Sequence, residues 1–133
     1  MKTLKSFFTV MIMALAFVMT GCSGANAKVK VLAPGEKLEL SKAPERLTVI
    51  DFNATWCGPC RAFTPIFDEA AKKYAGKVDF ISVDIDQHQT LARQLYIQSI
   101  PAVLFIHKDG TKDWSIGLMT AEEFDQRIQD ALE

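Results

Sequence analysis

Residues 47–60 read Leu47-Thr48-Val49-Ile50-Asp51-Phe52-Asn53-Ala54-Thr55-Trp56-Cys57-Gly58-Pro59-Cys60. The part up to Asn53 is rich in β-branched and aromatic residues, which predicts a buried strand. After Cys60 the apolar residues recur at helical spacing, at Ala62, Phe63, Ile66, Phe67, Ala70 and Ala71. The two cysteines therefore stand at a predicted strand-to-helix junction.

This junction gives Cys57 a chemical reason to react. The free N–H groups and the positive dipole end of a helix start favour a thiolate over a thiol. Cys60 follows one helical turn later, within bonding reach of the first sulfur. We expect Cys57, at an exposed tip, to attack a disulfide and Cys60 to resolve the mixed disulfide that forms. Pro59 suits a first helical turn, and Gly58 leaves the backbone beside the attacking sulfur uncovered.

Two other interpretations of the cysteine pair are a zinc site and an inert structural disulfide. A structural zinc site needs four ligands, and the remaining candidates, His88 and His107, form no spaced pair. We expect His88 to be solvated and His107 to end a strand. The sequence favours redox chemistry without a metal or a bound cofactor, since the Cys57–Cys60 disulfide would itself carry the electrons.

The N-terminus predicts export. Lys2 and Lys5 precede an apolar run over residues 7–19, which is typical of a secretory signal and too short to span a bilayer. The run has no polar face, which argues against a core helix.

Two cleavage sites compete after this run. Met19-Thr20-Gly21-Cys22 resembles a bacterial lipobox, in which residues 1–21 are removed and Cys22 is lipidated. Ala25-Asn26-Ala27 fits ordinary secretory cleavage. We favour the lipobox because it begins where the apolar run ends, and acyl chains would hold the protein at a membrane. The expected organisation is a signal at 1–21, a tether at 22–28 and one periplasmic domain at 29–133.

Charge and cysteine number exclude other classes. The chain has 15 basic and 16 acidic residues, and removal of residues 1–21 leaves 13 basic ones. A mildly acidic protein lacks the basic footprint that nucleic acid needs. With Cys22 used in processing, two cysteines remain, so the domain is not a disulfide scaffold.

The remaining elements predict the fold. Strands are expected at 29–32, 78–84, 102–106 and 112–117, and helices from the motif to about residue 74, at 87–96, and after Thr120, with Glu123 completing a capping box. Residues 36–46 are ambiguous because Pro44 interrupts them. This order predicts an α/β fold in which a mixed central β-sheet is flanked by helices on both faces, with the cysteines at the carboxyl end of a central strand.

The motif also carries a family resemblance. The stretch from Ile50 to Arg61 closely resembles the active-site signature of thioredoxins, and the likeness covers residues 47–133. It continues through Pro65, Val83-Asp84-Ile85-Asp86, Ser99-Ile100-Pro101, Lys108-Asp109-Gly110 and Gly117. The resemblance implies a thioredoxin-like fold and a disulfide oxidoreductase with Cys57 as nucleophile and Cys60 as resolving thiol.

The resemblance also assigns roles to other residues. It implies that Asp51 is a buried carboxyl with a raised pKa that takes a proton from Cys60, whereas a plain reading makes Asp51 an exposed edge residue. It implies a cis bond before Pro101, with the Ile100 backbone free to pair with a substrate peptide. The alternative is an ordinary proline at the start of a strand. Trp56, either a core residue or an apolar platform, joins Gly58, Pro59, Ile100 and Pro101 as the expected substrate-binding residues.

Two positions depart from the family pattern. Ser82 stands where thioredoxins often have a lysine, so Asp51 is expected to stay protonated to higher pH. Asn53 stands where they often have a tryptophan, which makes the site more polar.

The Gly-Pro between the cysteines resembles the reducing members of the superfamily. We therefore expect the protein to reduce or isomerise disulfides of exported proteins. We also expect it to act as a monomer and to take electrons from a membrane-side donor. The alternatives are the same chemistry run as a net oxidase, and a non-catalytic module that binds client proteins through Trp56 and Pro101.

Overall fold

A computed structural model of the chain describes residues 28–133. The predicted signal at 1–21, the lipidation site Cys22 and most of the tether lie outside the described residues. The elements are β1 (Lys30–Val31), β2 (Leu47–Asn53), α1 (Gly58–Lys73), β3 (Val78–Asp84), α2 (Gln89–Gln94), β4 (Ala102–Ile106), β5 (Lys112–Ile116) and α3 (Ala121–Leu132).

The strands form one mixed sheet in the order β1-β3-β2-β4-β5. β2 lies in the centre, parallel to β3 and antiparallel to β4, and β5 is antiparallel to β4. The predicted mixed sheet is confirmed, and the strand that leads to the cysteines is its middle strand.

Helices cover both faces of the sheet, as predicted. On one face, Phe63 and Phe67 of α1 pack against Phe124 of α3, with ring centroids 5.0 and 5.8 Å apart. On the other face, α2 and the segment 32–46 pack over Ile50 and Phe52 of β2. Side chains alternate along a strand, so neighbouring residues of β2 enter different halves of the core.

Three predictions for the flanking segments need correction. β1 has two residues rather than four, and it pairs only with Ile81 and Ser82 of β3. α2 is shorter than expected and is followed by Tyr96, whose φ of +54° lies in the left-handed region and cannot continue a helix. His88 is buried rather than solvated, because its Nε2 lies 3.2 Å from the carbonyl oxygen of Leu32 under the N-terminal segment.

Other predictions are confirmed. β2, β3 and β4 have the expected bounds, and α3 begins with the predicted capping box, in which Thr120 and Glu123 each accept a hydrogen bond from the other's backbone N–H. Segment 32–46 contains no helix. Among residues 28–133, no helix has the length and apolar character that crossing a membrane requires.

Candidate active site

The cysteine pair lies at the N-terminus of α1. Cys57 is the residue before the helix, and its Sγ accepts a hydrogen bond from the Cys60 backbone N–H at 3.2 Å. Pro59 lies in the first turn, where no N–H is required. Cys57 and Cys60 are joined by a disulfide, with their Cα atoms 5.2 Å apart. The predicted reach between the two sulfurs is confirmed.

The expectation that Cys57 forms an exposed tip is wrong for this oxidised state. Only 5% of Cys57 and 2% of Cys60 is exposed, because both pack against Ala54 and Ile100. The surface beside them is open at Gly58, where an added Cβ would meet no atom within 4 Å. A partner can therefore approach the disulfide along the exposed backbone of Gly58 and Pro59.

Trp56 forms a flat apolar surface next to this opening. It is 65% exposed, so the core interpretation is wrong. Its Nε1 donates a hydrogen bond to Oδ2 of Asp86 at 2.9 Å, which fixes the ring in place. Asp86 lies just past the carboxyl end of β3, which is parallel to β2, so both strand ends meet at the site.

A loop from the other side of the sheet completes the opening. The Ile100–Pro101 peptide bond is cis, and the Ile100 carbonyl oxygen lies 3.9 Å from Sγ of Cys57. Pro101 itself is buried, and its carbonyl oxygen accepts a hydrogen bond from the Gly117 N–H at 2.8 Å. The backbone of Ile100 therefore borders the disulfide.

Asp51 lies beneath the site on the α1 face of β2. Its side chain is 2% exposed, so the exposed-edge interpretation is wrong. Burial raises the pKa of Asp51 to about 6, although a hydrogen bond from Asn53 opposes this and the charge of Asp68 adds to it. A carboxyl that titrates near neutral pH is suited to accept and release a proton.

Comparison with known proteins identifies the family. The sequence model described as "Thioredoxin" matches residues 29–130. The chain belongs to the thioredoxin family.

Individual thioredoxins agree with this assignment. A thioredoxin of Borreliella burgdorferi is 39% identical over 102 residues, covering 77% of this chain and 87% of that protein. The M-type chloroplastic thioredoxin of Pisum sativum is 33% identical over 126 residues, covering 95% of this chain and 73% of the relative. The solved structure of chloroplastic thioredoxin z superposes with a TM-score of 0.71 at 29% identity, over 78% of this chain and 94% of that one. With its cysteine pair at the helix start, this thioredoxin is a thiol-disulfide oxidoreductase.

The structure adds two surface residues of this thioredoxin that the sequence analysis missed. Ile116 and Leu118 are 60% and 52% exposed and flank Gly117, which hydrogen-bonds to Pro101. Ile116 lines a surface groove together with Ser99, the residue before Ile100. A signal for Ile116 and Leu118 was present, since two large apolar residues flank a glycine directly after a strand.

The two departures from the thioredoxin pattern lie together. Asn53 is partly buried, and its Nδ2 donates hydrogen bonds to Oδ2 of Asp51 at 2.9 Å and to Oγ of Ser82 at 2.8 Å. The added polarity of Asn53 is thus directed at the buried carboxyl.

The histidines considered as zinc ligands have protein partners. His107 Nε2 lies 2.8 Å from Oδ2 of Asp113, and His88 contacts Leu32. In the described part of the chain, no three His, Cys, Asp or Glu side chains form a metal-binding group.

Proposed function

We propose that this thioredoxin is an exported, lipid-anchored protein that reduces or isomerises the disulfides of other exported proteins. The observation that carries the chemistry is the Cys57–Cys60 disulfide at the start of α1, with the Ile100 carbonyl oxygen 3.9 Å from the outer sulfur. The signal-like N-terminus and the lipobox-like stretch ending at Cys22 support the location.

The proposed reaction has two exchange steps. In the reduced enzyme, the Cys57 thiolate attacks one sulfur of a substrate disulfide and displaces the other as a thiolate. Cys60 then gives its proton to Asp51, and its sulfur attacks Cys57. The substrate leaves as a dithiol after its two thiolates take up protons. The substrate has been reduced by two electrons, and Cys57 and Cys60 have been oxidised to a disulfide.

The surface around the pair supports binding of an extended substrate segment. Trp56 offers an exposed ring, Gly58 and Pro59 leave the approach open, and the Ile100 carbonyl oxygen lies beside the Cys57 sulfur. A peptide that pairs with this backbone would bring its disulfide beside Cys57. The site is complete within one chain, which supports action as a monomer.

Repeated reduction needs a source of electrons, because each cycle leaves the enzyme oxidised. For a protein held outside the cytoplasm, that source is a membrane-side dithiol donor. The Gly-Pro pair between the cysteines, which resembles the reducing members of the family, supports this direction.

Trapping the mixed disulfide tests the reaction. In Cys60→Ser, the second step cannot occur, so exported clients should remain covalently bound to Cys57 and be released by a small thiol. Cys57→Ser is the matched control and should trap nothing. Equal turnover of a small aromatic disulfide by wild type and Cys57→Ser would overturn catalysis and favour a client-binding module.

Thiol alkylation in intact cells tests the direction. A pair that is largely reduced in cells, and that becomes oxidised when the donor is removed, supports net reduction. A pair that stays disulfide-bonded whatever the donor contradicts it and favours the oxidase.

The anchor is tested separately at Cys22. Wild type should incorporate labelled fatty acid and sediment with membranes, and Cys22→Ala should do neither. An unlabelled, soluble wild type that begins after Ala27 would replace the anchored form with a freely secreted one.

A further inference from the structure

We propose that Asn53 is a positioning residue for proton transfer, whose amide, anchored by Ser82, holds one oxygen of Asp51 and leaves the other to receive the Cys60 proton. This inference rests on the acceptor role proposed above for Asp51. It assigns a task to the two positions at which the chain departs from the thioredoxin pattern.

Strand geometry brings the three residues together. Asp51 and Asn53 are two positions apart in β2, so their side chains leave the same face of the sheet. Ser82 is the register partner of Asp51 on the parallel strand β3. The cluster is therefore fixed by the two most central parallel strands.

The hydrogen bonds assign the two carboxyl oxygens different environments. A carboxamide nitrogen has two N–H donors, and those of Asn53 have their shortest contacts to Oδ2 of Asp51 at 2.9 Å and Oγ of Ser82 at 2.8 Å. The backbone carbonyl oxygen of Asp51 is a more distant partner of the same nitrogen, at 3.3 Å. Two partners at fixed strand positions hold the amide against rotation. Oδ1 of Asp51 is buried and has no hydrogen-bond partner among the described residues, so it is the oxygen with free acceptor capacity.

The charged side chains around the carboxyl form no ion pair with Asp51 in the described part of the chain, and the pKa of Asp51 is set by burial, Asn53 and Asp68. A groove of about 420 Å³ reaches Asp51 and is bordered by Lys28 from the N-terminal segment and by Asp68 and Lys72 from α1. The Lys72 ammonium is engaged by Glu69 at 2.6 Å. Asp68 raises the pKa of Asp51, so it opposes ionisation.

The other packed elements add no charge at this point. The register partner of Asp51 on β4 is Val103, and on β3 it is Ser82. On α1, Cys60 is the proposed proton donor itself. Among the described residues, the Asn53 side chain is thus the direct donor to the carboxylate.

The arrangement has a defined chemical consequence. The proton leaves Cys60 Sγ for Oδ1 of Asp51, the Cys60–Cys57 bond forms, and the bond between Cys57 and the substrate sulfur breaks. Because a hydrogen bond to the ionised form favours ionisation, the Asn53 amide keeps Asp51 available as a base at lower pH than burial alone allows.

Asn53→Leu tests the inference, since leucine has similar size and no donor. We expect the Asp51 carboxyl, followed by carbon NMR in the oxidised protein, to titrate roughly one pH unit higher. Release of an aromatic thiol from a mixed disulfide on Cys57 should slow about fivefold near pH 6, because the ionised fraction of Asp51 falls by that factor, and should recover at high pH. Ser82→Ala should shift both midpoints in the same direction by less.

Two controls separate positioning from a structural role. Thr48→Val changes the same strand on its other face and should leave both midpoints unmoved. In the Asp51→Asn background, Asn53→Leu should have no further effect on thiol release.

Unmoved midpoints in Asn53→Leu, with wild type releasing the thiol normally, would overturn the inference and leave the proposed function standing. Failure of wild type to release the thiol would instead overturn the proposed function. If Asn53→Leu does not fold, Asn53→Ala supplies the same measurement.

Discussion

Asp51 and Phe52 are neighbours in the same strand, are equally buried, and face opposite halves of the core. Phe52 is 0% exposed and packs in an apolar cluster, with its ring 5.8 Å from that of Trp114. Asp51 is 2% exposed and contacts the polar groups of Asn53 and Ser82. One face of β2 stabilises the fold, whereas the other holds a group that is unfavourable to bury and useful for moving protons.

The contrast is local rather than a property of a whole face. On the α1 side, Leu47 and Val49 lie in the same cluster as Phe63 and Phe67, and the polar residues follow only at the carboxyl end of the strand. The apolar part anchors α1, and the polar part lies next to the start of that helix. Stability and chemistry thus share one strand but occupy different ends of it.

The largest expected effect on the chemical side comes from Cys57→Ser. Without the attacking sulfur, turnover of an aromatic disulfide should fall to the uncatalysed rate, while Phe52→Ala should keep its rate per folded molecule. A spectrophotometric assay of thiol release measures both. Substantial turnover by Cys57→Ser would contradict the assignment of the chemistry to one side of β2 and of stability to the other.

The largest effect on the apolar side comes from Phe52→Ala. Removing a fully buried phenylalanine should lower the free energy of unfolding by about 3–5 kcal/mol through lost burial and a residual cavity. Denaturant unfolding of the oxidised protein measures this loss. A loss below about 1 kcal/mol would show that Phe52 does not anchor its face.

Asp51→Asn should raise the free energy of unfolding at pH values above the pKa of Asp51, whereas Phe52→Ala lowers it. The folded pKa of Asp51 is raised from 3.8 to about 6, so its favourable contribution is fully present below the unfolded value and is lost as pH rises through the folded one. At pH 8 the variant should be more stable than wild type by about 3 kcal/mol. The difference should disappear near pH 3.

Unfolding curves at the two pH values test this prediction, and thiol release should slow in the same variant. A stability difference that does not depend on pH would assign the gain to packing rather than to the buried charge.

Gly58→Ala should have the smallest effect on stability. The position has an ordinary helical backbone and open space, so alanine should raise the free energy of unfolding by about 0.4–1 kcal/mol. The added methyl group lies beside the opening, so exchange with a folded protein substrate should slow more than exchange with a small disulfide. Paired kinetics with the two substrates measures the difference, and equal slowing would exclude a role of this surface in protein binding.

The central sheet was predictable because its main strands can be recognised from local sequence patterns. β2, β3 and β4 are strand-length runs rich in apolar and β-branched residues, and α3 begins with a capping box. Both signals are local in the sequence and do not depend on distant contacts. The position of the cysteines followed from the same local pattern.

What the sequence did not reveal depends on contacts between distant residues. Cys57 is buried by Ile100, 43 positions away, and His88 contacts Leu32 across 56 positions. Asn53 meets Ser82 across 29 positions, so both substitutions were visible in the sequence but their partnership was not. Such contacts follow from strand order and register, which a periodicity pattern does not specify.

The central place of β2 in the strand order also affects how the chain is made. A ribosome releases β2 and the cysteines roughly 50 residues before β4. The two strands are neighbours in the sheet, so they can pair only after the long segment between them has been made. Until then the Ile100 loop that shields Cys57 has not been synthesised. In a nascent chain, the thiols of Cys57 and Cys60 are therefore unprotected, and their selectivity for partners is acquired only when the C-terminal half of the chain has been made.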